Sequence, residues 1–342
     1  MAYTTIDNPE LYFQTEIYTG NGTDGRTITL SGSEDMQPDF VWIKNRGQTD
    51  NHHLFDSVRG VNKALSSSTT NAESDAPSSG YVSGFASDGF TVTSGSSADD
   101  NVNKNTETYV SWNWKESATA GFDIVSYAGD GQSNREVSHG LSAVPKTMWI
   151  KNRSGSHAWM VYHDGLGYNS GSVPRFLQFD NTNAQNNGGS GDFPADPTSS
   201  VFKVGSYDTM NKNGDNIVAY VFTEKKGFSK FGSFVGNGNA DGPFVYTGFK
   251  PAFLLTKKAT ESSEWHIYDN KREPNNTRQN VLSPNANYAD SINANCNTDF
   301  LSNGFKLRNN NDNRNDSGET HIYMAFAESP FVNSNGVPTN AA

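Results

Sequence analysis

The stretch Trp42-Ile43-Lys44-Asn45-Arg46 returns as Trp149-Ile150-Lys151-Asn152-Arg153 and, with substitutions, as Leu255-Thr256-Lys257-Lys258. The copies lie 107 and then 106 residues apart, close to the usual size of one domain. A constant period with divergent sequence between the copies marks a single domain present three times along the chain. Val41 and Ile43 point to one face of this strand and Phe40 and Trp42 to the other, because strand side chains alternate. Both faces are apolar at that end. A strand of this kind sits inside a sandwich under a loop, or lies against a neighbouring domain or subunit.

Outward from it, other landmarks keep the same phase. Pro38, Pro145 and Pro251 each stand four residues ahead of the Trp or Leu. Tyr18-Thr19-Gly20-Asn21-Gly22 returns as Tyr127-Ala128-Gly129-Asp130-Gly131 and Phe234-Val235-Gly236-Asn237-Gly238. Downstream, apolar runs end in Asp56, Asp164 and Asp269. Each copy closes with a short strand at Phe90, Phe202 or Phe305 and a longer last strand. In the first copy's last strand, Val110, Trp112 and Trp114 alternate with Ser111, Asn113 and Lys115, which reads as a core face and a wet face. The Asn-Gly and Asp-Gly pairs are the residues that accept positive φ at both central positions of a hairpin turn. They are not phosphate loops, since no following helix and no Lys-Ser or Lys-Thr pair accompanies them.

The 342 residues are 34% apolar and 18% charged, with 32 Gly and many Asn, Ser, Thr and Asp between the apolar runs. Gly and short polar residues favour turns over helices, so the composition suits many short strands joined by polar loops. The expected fold is all-β, three tandem antiparallel β-sandwich (jelly-roll-like) domains of about 105 residues each. The expected division is an N-terminal arm over 1–14 and sandwiches over 15–118, 119–226 and 227–342, the last with a C-terminal tail. The links between copies are short, which favours domains packed on each other over free beads. The arm carries Leu11, Tyr12 and Phe13, too much apolar surface to leave in water, and is expected to dock.

A net charge of −11 and the absence of a basic stripe argue against a nucleic-acid partner. No apolar run approaches 18 residues and no leader pattern opens the chain, so neither membrane insertion nor secretion is expected. The single cysteine, Cys296, excludes an intrachain disulfide framework and a multi-cysteine zinc site, and reads as incidental.

Candidate chemistry is thin. His52 and His53 are neighbours on a strand and point apart, and His139, His157, His163, His266 and His321 share no repeat position. Phe55 and Tyr268 stand where the second copy has His163, so a histidine active site is not expected. Asp56, Asp164 and Asp269 recur faithfully and read as strand-end residues that cap the following turn. The Asn-rich loop 309–316 offers oxygen ligands without the spacing of a calcium loop, and calcium is left open. Trp42 shares its face with Lys44, as Trp149 does with Lys151. The preferred reading is a packed indole shielded by a lysine stem whose ammonium stays in water, and the alternative is an exposed platform for a sugar ring.

The opening Tyr3-Thr4-Thr5-Ile6-Asp7-Asn8-Pro9, with Tyr12-Phe13-Gln14, the strand Pro38 to Lys44 and the run Leu54 to Gly60 resemble a family of repeat-containing virion structural proteins of marine tailed bacteriophages, which are often called tail-fibre-like. The ending Tyr323-Met324-Ala325-Phe326-Ala327-Glu328-Ser329-Pro330-Phe331-Val332, with Gly336-Val337-Pro338-Thr339-Asn340, is similar to that family's C-terminus. The resemblance runs nearly end to end and carries no catalytic or binding residue. It implies a non-enzymatic virion protein on the outside of the particle, a tail fibre or appendage or a capsid decoration, with a part in host attachment. Its partners would be other virion proteins and further copies of itself, three if it is a fibre. It would assemble in the host cytoplasm and need no cofactor and no metal. The alternative is a carbohydrate-binding module that grips host glycans through exposed Trp42, Trp149 or Trp265. A glycan-degrading enzyme would instead need two carboxylates about 5 to 10 Å apart across a cleft.

Overall fold

The computed structural model describes residues 3–96 and 101–338. Three large antiparallel sheets share one strand order. In the first, Phe13–Thr19, Thr108–Trp114, Phe40–Asn45 and His53–Asp56 lie side by side. In the second the order is Phe122–Ala128, Asn216–Phe222, Thr147–Asn152 and Met160–His163, with Phe176–Gln178 added at the edge. The third runs Ser229–Val235, Thr320–Pro330, Phe249–Lys258 and Trp265–Asp269. Register is equivalent too: Trp42 pairs with Trp112, Trp149 with Tyr220 and Leu255 with Met324.

Each large sheet is covered on one side by a smaller one. Arg26–Ile28, Gly89–Thr93 and Tyr81–Ala86 cover the first, and Arg135–Ser138 with Val201–Val204 the second. Phe244–Tyr246, Gly304–Leu307 and Thr298–Leu301 cover the third. The chain passes back and forth between the two layers, as in a jelly roll. The three interiors are separate cores: Val41, Ile43, Phe55 and Phe90 in the first, Met148, Ile150 and Phe202 in the second, Leu254, Tyr268 and Phe305 in the third.

The largest core lies between the sandwiches. The outer faces of the three large sheets meet there and bury Phe40, Trp42, Trp112 and Trp114 with Trp149, Tyr220, Phe222, Phe253, Leu255 and Phe326. Trp42 and Trp149 meet edge to face at 5.7 Å, Phe222 and Phe326 at 6.1 Å, and Trp114 and Phe253 at 5.5 Å. Every pair of sandwiches is thus joined by aromatic contacts, whose tilted and edge-on geometry suits the ring quadrupole. This explains the doubly apolar strand: one face fills its own sandwich and the other fills the shared centre.

The wet face expected of the first copy's last strand is not wet. Ser111 and Asn113 are fully buried, because the small sheet covers that side, and the Asn113 amide donates to the carbonyls of Gln14 (3.1 Å) and Ser111 (3.2 Å). The opening strand starts at Phe13, so the last two residues of the arm read as 1–14 belong to the first sheet. Thr339 and Asn340, part of the family resemblance, lie outside the described residues.

Candidate functional site

The contacts between sandwiches follow one rule, repeated in a circle. A loop of each sandwich reaches the end of the next one's Trp or Leu strand. The Glu73 amide donates to the Arg153 carbonyl (2.9 Å), Gln185 to Ala259 (2.7 Å) and Asp290 to Arg46 (2.7 Å). The strand before each Asp adds a second tie. The Trp159 indole donates to the Ser66 carbonyl (2.8 Å) and that of Trp265 to Gln178 (3.1 Å), while His52 holds the corresponding place against the Ser283 backbone. First meets second, second meets third, and third meets first.

The recurring aspartates belong to this circle. Asp56 caps its turn through the Arg59 amide (2.7 Å), as Asp269 does through that of Arg272 (2.7 Å). Beyond the expected cap, each is fully buried, ion-paired with that arginine and reached from the neighbouring sandwich: Asp56 by the Tyr220 hydroxyl (2.7 Å), Asp269 by the Trp112 indole (3.1 Å). Asp164 is not their counterpart, which corrects the sequence alignment: His163 pairs with Thr147 as Asp56 does with Phe40 and Asp269 with Phe253, Tyr162 matches Phe55 and Tyr268, and Asp164 stands one residue further on, where Ser57 and Asn270 are. The equivalent neighbour is Met324, which has nothing to donate, and Asp164 turns to water and pairs with Lys146 (2.7 Å). His163 takes over there: its Nδ1 accepts from the Gly165 amide (3.0 Å), and its Nε2 donates to the Tyr323 carbonyl (3.0 Å).

The tryptophans offer no sugar platform. Trp42, Trp149 and Trp265 are 0%, 1% and 2% exposed, because the faces that carry them close the shared centre. The lysine reading is also corrected. Lys44, Lys151 and Lys257 are fully buried, and their ammonium groups donate to main-chain carbonyls instead of reaching water: Lys44 to Gln48 (2.9 Å), Lys151 to Thr70 (2.9 Å), Lys257 to Lys258 (2.6 Å). Loss of hydration pulls Lys44 and Lys151 down to about 8 and Lys257 to about 7.

The histidines do not converge. Burial lowers His53, His163 and His321 to about 4, so they are neutral packing groups. Cys296 lies inside the third core. Among the described residues no group of three metal-binding side chains comes together. In the 309–316 loop, Asn315 instead donates to the Asn237 side chain (3.0 Å) and the carbonyls of Asn239 (2.8 Å) and Asn309 (2.7 Å). Asn103 and Asn211 make the same clasp on Asn21 and Asp130. This thrice-repeated buried asparagine was missed in the sequence, although 108 and 104 residues separate the copies. It also corrects the turn reading. Only Gly22, Gly131 and Gly238 of the paired residues have positive φ, so these are docked loops and not two-residue hairpin turns. Gly20, Gly129 and Gly236 admit no Cβ, since a backbone oxygen lies within 2.1 Å of where it would stand.

The N-terminal arm docks within its own chain. Phe13 stacks on Phe326 at 5.2 Å, Tyr12 meets Phe228 edge-on at 6.0 Å, and Leu11 stays exposed. Upstream, the Tyr3 hydroxyl lies 3.0 Å from that of Tyr246 and donates to the Gly248 carbonyl at 3.0 Å. With Glu224, Lys226 and Lys230 they line an open cavity of about 370 Å³. Lys226 lies over the Tyr3 ring at 4.3 Å, and Glu224 pairs with Lys230 at 2.7 Å. The only sequence signal for this groove is Phe244-Val245-Tyr246, a short strand with its apolar ends turned outward.

A family model described as "Domain of unknown function (DUF7483)" matches residues 8–330. No curated protein sequence matches the chain. A solved structure described as "Crystal Structure of the STIV MCP" is matched over 61% of this chain and 95% of its own. At 11% identity and a TM-score of 0.21, that likeness bears on neither fold nor function. Among the described residues no helix is long and apolar enough to cross a membrane.

Proposed function

The chain belongs to this family of domains of unknown function, and we propose that it is a non-enzymatic structural protein of a tailed-bacteriophage particle, mounted on the outside as a tail appendage or capsid decoration. The observation that supports this most is the closed circle of three sandwiches on one aromatic centre. Such a body is stiff, because moving any sandwich breaks ties on both its flanks. A threefold body made from a single chain suits mounting on a larger assembly, and the partners proposed are other virion proteins and further copies of this chain. Imaging of virions labelled with antibody against this chain tests the reading. Label on the particle is the expected result, its position separates tail from head, and unlabelled particles overturn the reading.

A second reading, glycan binding, now rests on the groove of Tyr3 and Tyr246, where the exposed Tyr246 ring and the half-buried Tyr3 ring stand beside a carboxylate and two lysines. Tyr246→Ala removes one ring from a half-exposed site and is expected to leave the melting temperature within about 2 °C, since such surface changes cost about 0.5 kcal/mol or less. On a glycan array it is expected to remove binding. A wild-type protein that binds nothing on the array ends this second reading.

A further inference from the structure

Among the described residues, Arg278 is a buried cation with no carboxylate paired to it. It is 2% exposed, and the strand-like pairing of its backbone with Thr298 (2.9 and 3.0 Å) fixes its position. The guanidinium lies on the Phe300 ring at 4.1 Å, which sets its plane. Its hydrogen bonds go to neutral oxygens, the Asn276 side chain from Nη1 and the Pro274 carbonyl from Nη2 at 3.3 Å, while Nε finds no acceptor.

The carboxylates around it are all engaged elsewhere. Asp269 is held by Arg272 (2.6 Å), and Glu328 by Lys250 (2.9 Å) and Asn270 (2.8 Å). Glu273 accepts from the Asn280 amide (2.8 Å) and the Gln279 amide, and Asp299 from Arg308 (2.6 Å) and Thr277 (2.7 Å). Burial without a partner pushes the arginine below its usual range, the cost expected of an uncompensated buried charge.

The same side chain lines an open cavity of about 360 Å³ with Lys250, Pro274, Asn275, Asn276 and Phe300. Among the described residues two cations and two amides line it, and no carboxylate does. We propose that this cavity binds an oxyanion group, a carboxylate, phosphate or sulfate, as the missing partner of Arg278. Guanidinium forks and side-chain amides are the donors that recognise such groups. The virion reading plays no part in this inference.

Calorimetric titration of the full chain with inorganic phosphate, sulfate and acetate, each at matched ionic strength against chloride, tests it. At least one anion is expected to bind with a Kd of millimolar order or tighter, and the preferred one identifies the group. Arg278→Gln is expected to abolish the heat. Lys250→Gln, at the partly exposed rim, is expected to weaken binding at least threefold, and Glu328→Gln, which frees Lys250, to tighten it. The two rim variants decide the matter if Arg278→Gln does not fold. No heat above chloride for any anion in the wild type, or affinities unchanged in the rim variants, overturns the proposal.

Discussion

The seam between the first and second sandwiches and the seam between the second and third occupy equivalent places and are built differently. At the former, Asp56 takes the Tyr220 hydroxyl while holding Arg59, and Glu73 spans Arg59 (2.9 Å) and Arg153 (2.8 Å). The third-to-first seam repeats this with Asp269, Arg272, Trp112, Asp290 and Arg46. At the second-to-third seam the charges are gone together: Met324 replaces Tyr or Trp, Gln185 the acid and Ala259 the arginine. A cavity of about 10 Å³, lined by Trp149, His163, Leu255 and Met324, remains there. It has room for at most one water. The backbone tie survives in all three. Main-chain bonds and aromatic packing therefore carry the circle, and the charged network is an addition that only works complete. Removing one member of a buried ion pair costs more than never having had it.

The strongest way to break the comparison is to cut the buried Asp56 and, in the second sandwich, the exposed Asp164 that follows its counterpart His163. Asp56→Ala leaves Arg59 buried without its carboxylate and is expected to cost about 3–5 kcal/mol in urea unfolding. Asp164→Ala removes an exposed pair and is expected to cost under about 1 kcal/mol. Equal losses would mean that the seams are energetically alike.

Acid probes the second-to-third seam next. His163 titrates near 4 when folded and near 6.5 when unfolded, so the unfolded chain takes up the proton first. The stability it contributes is complete above about pH 6.5 and is lost as the pH falls toward 4, at about 1.4 kcal/mol for each pH unit crossed. His163→Phe keeps a ring without a titratable nitrogen and is expected to make the fall in melting temperature between pH 6.5 and 4 less steep, the remainder coming from buried His52, His53, His266 and His321. Superimposable pH profiles would rule out the histidine as the acid-sensitive tie.

The mildest contrast uses the loop ends. Arg153→Ala removes two bonds to Glu73 that are partly shielded from water and is expected to cost about 1–2 kcal/mol. In the next seam, where Ala259 stands in place of Arg153, Gln185→Ala at the position of Glu73 is expected to stay within about 0.5 kcal/mol, since its backbone makes the tie. Chemical denaturation of both variants compares them directly.

Much of the architecture was legible in the sequence. Recurrence at a constant period gave the three copies, and alternation in the Trp42 strand showed two apolar faces before any partner was known. The buried lysines were not legible, because a stem that snorkels and a stem that folds back onto carbonyls have the same sequence. Nor was the second role of the aspartates, since Asp56 and Tyr220 are 164 positions apart and the third copy of that pairing is missing. The asparagine clasps were hidden by their setting: Asn is common in these loops, and only geometry distinguishes the one buried among amides from its exposed neighbours.

Among the described residues no linker spans the third seam. The first two seams are crossed by the chain at 115–121 and 223–228, whereas the third is closed by the docked arm and by Asp7, which accepts the Ser334 amide at 2.7 Å. A circular permutant that joins the tail to the arm and begins at Thr119 would meet the same contacts in a different order of synthesis.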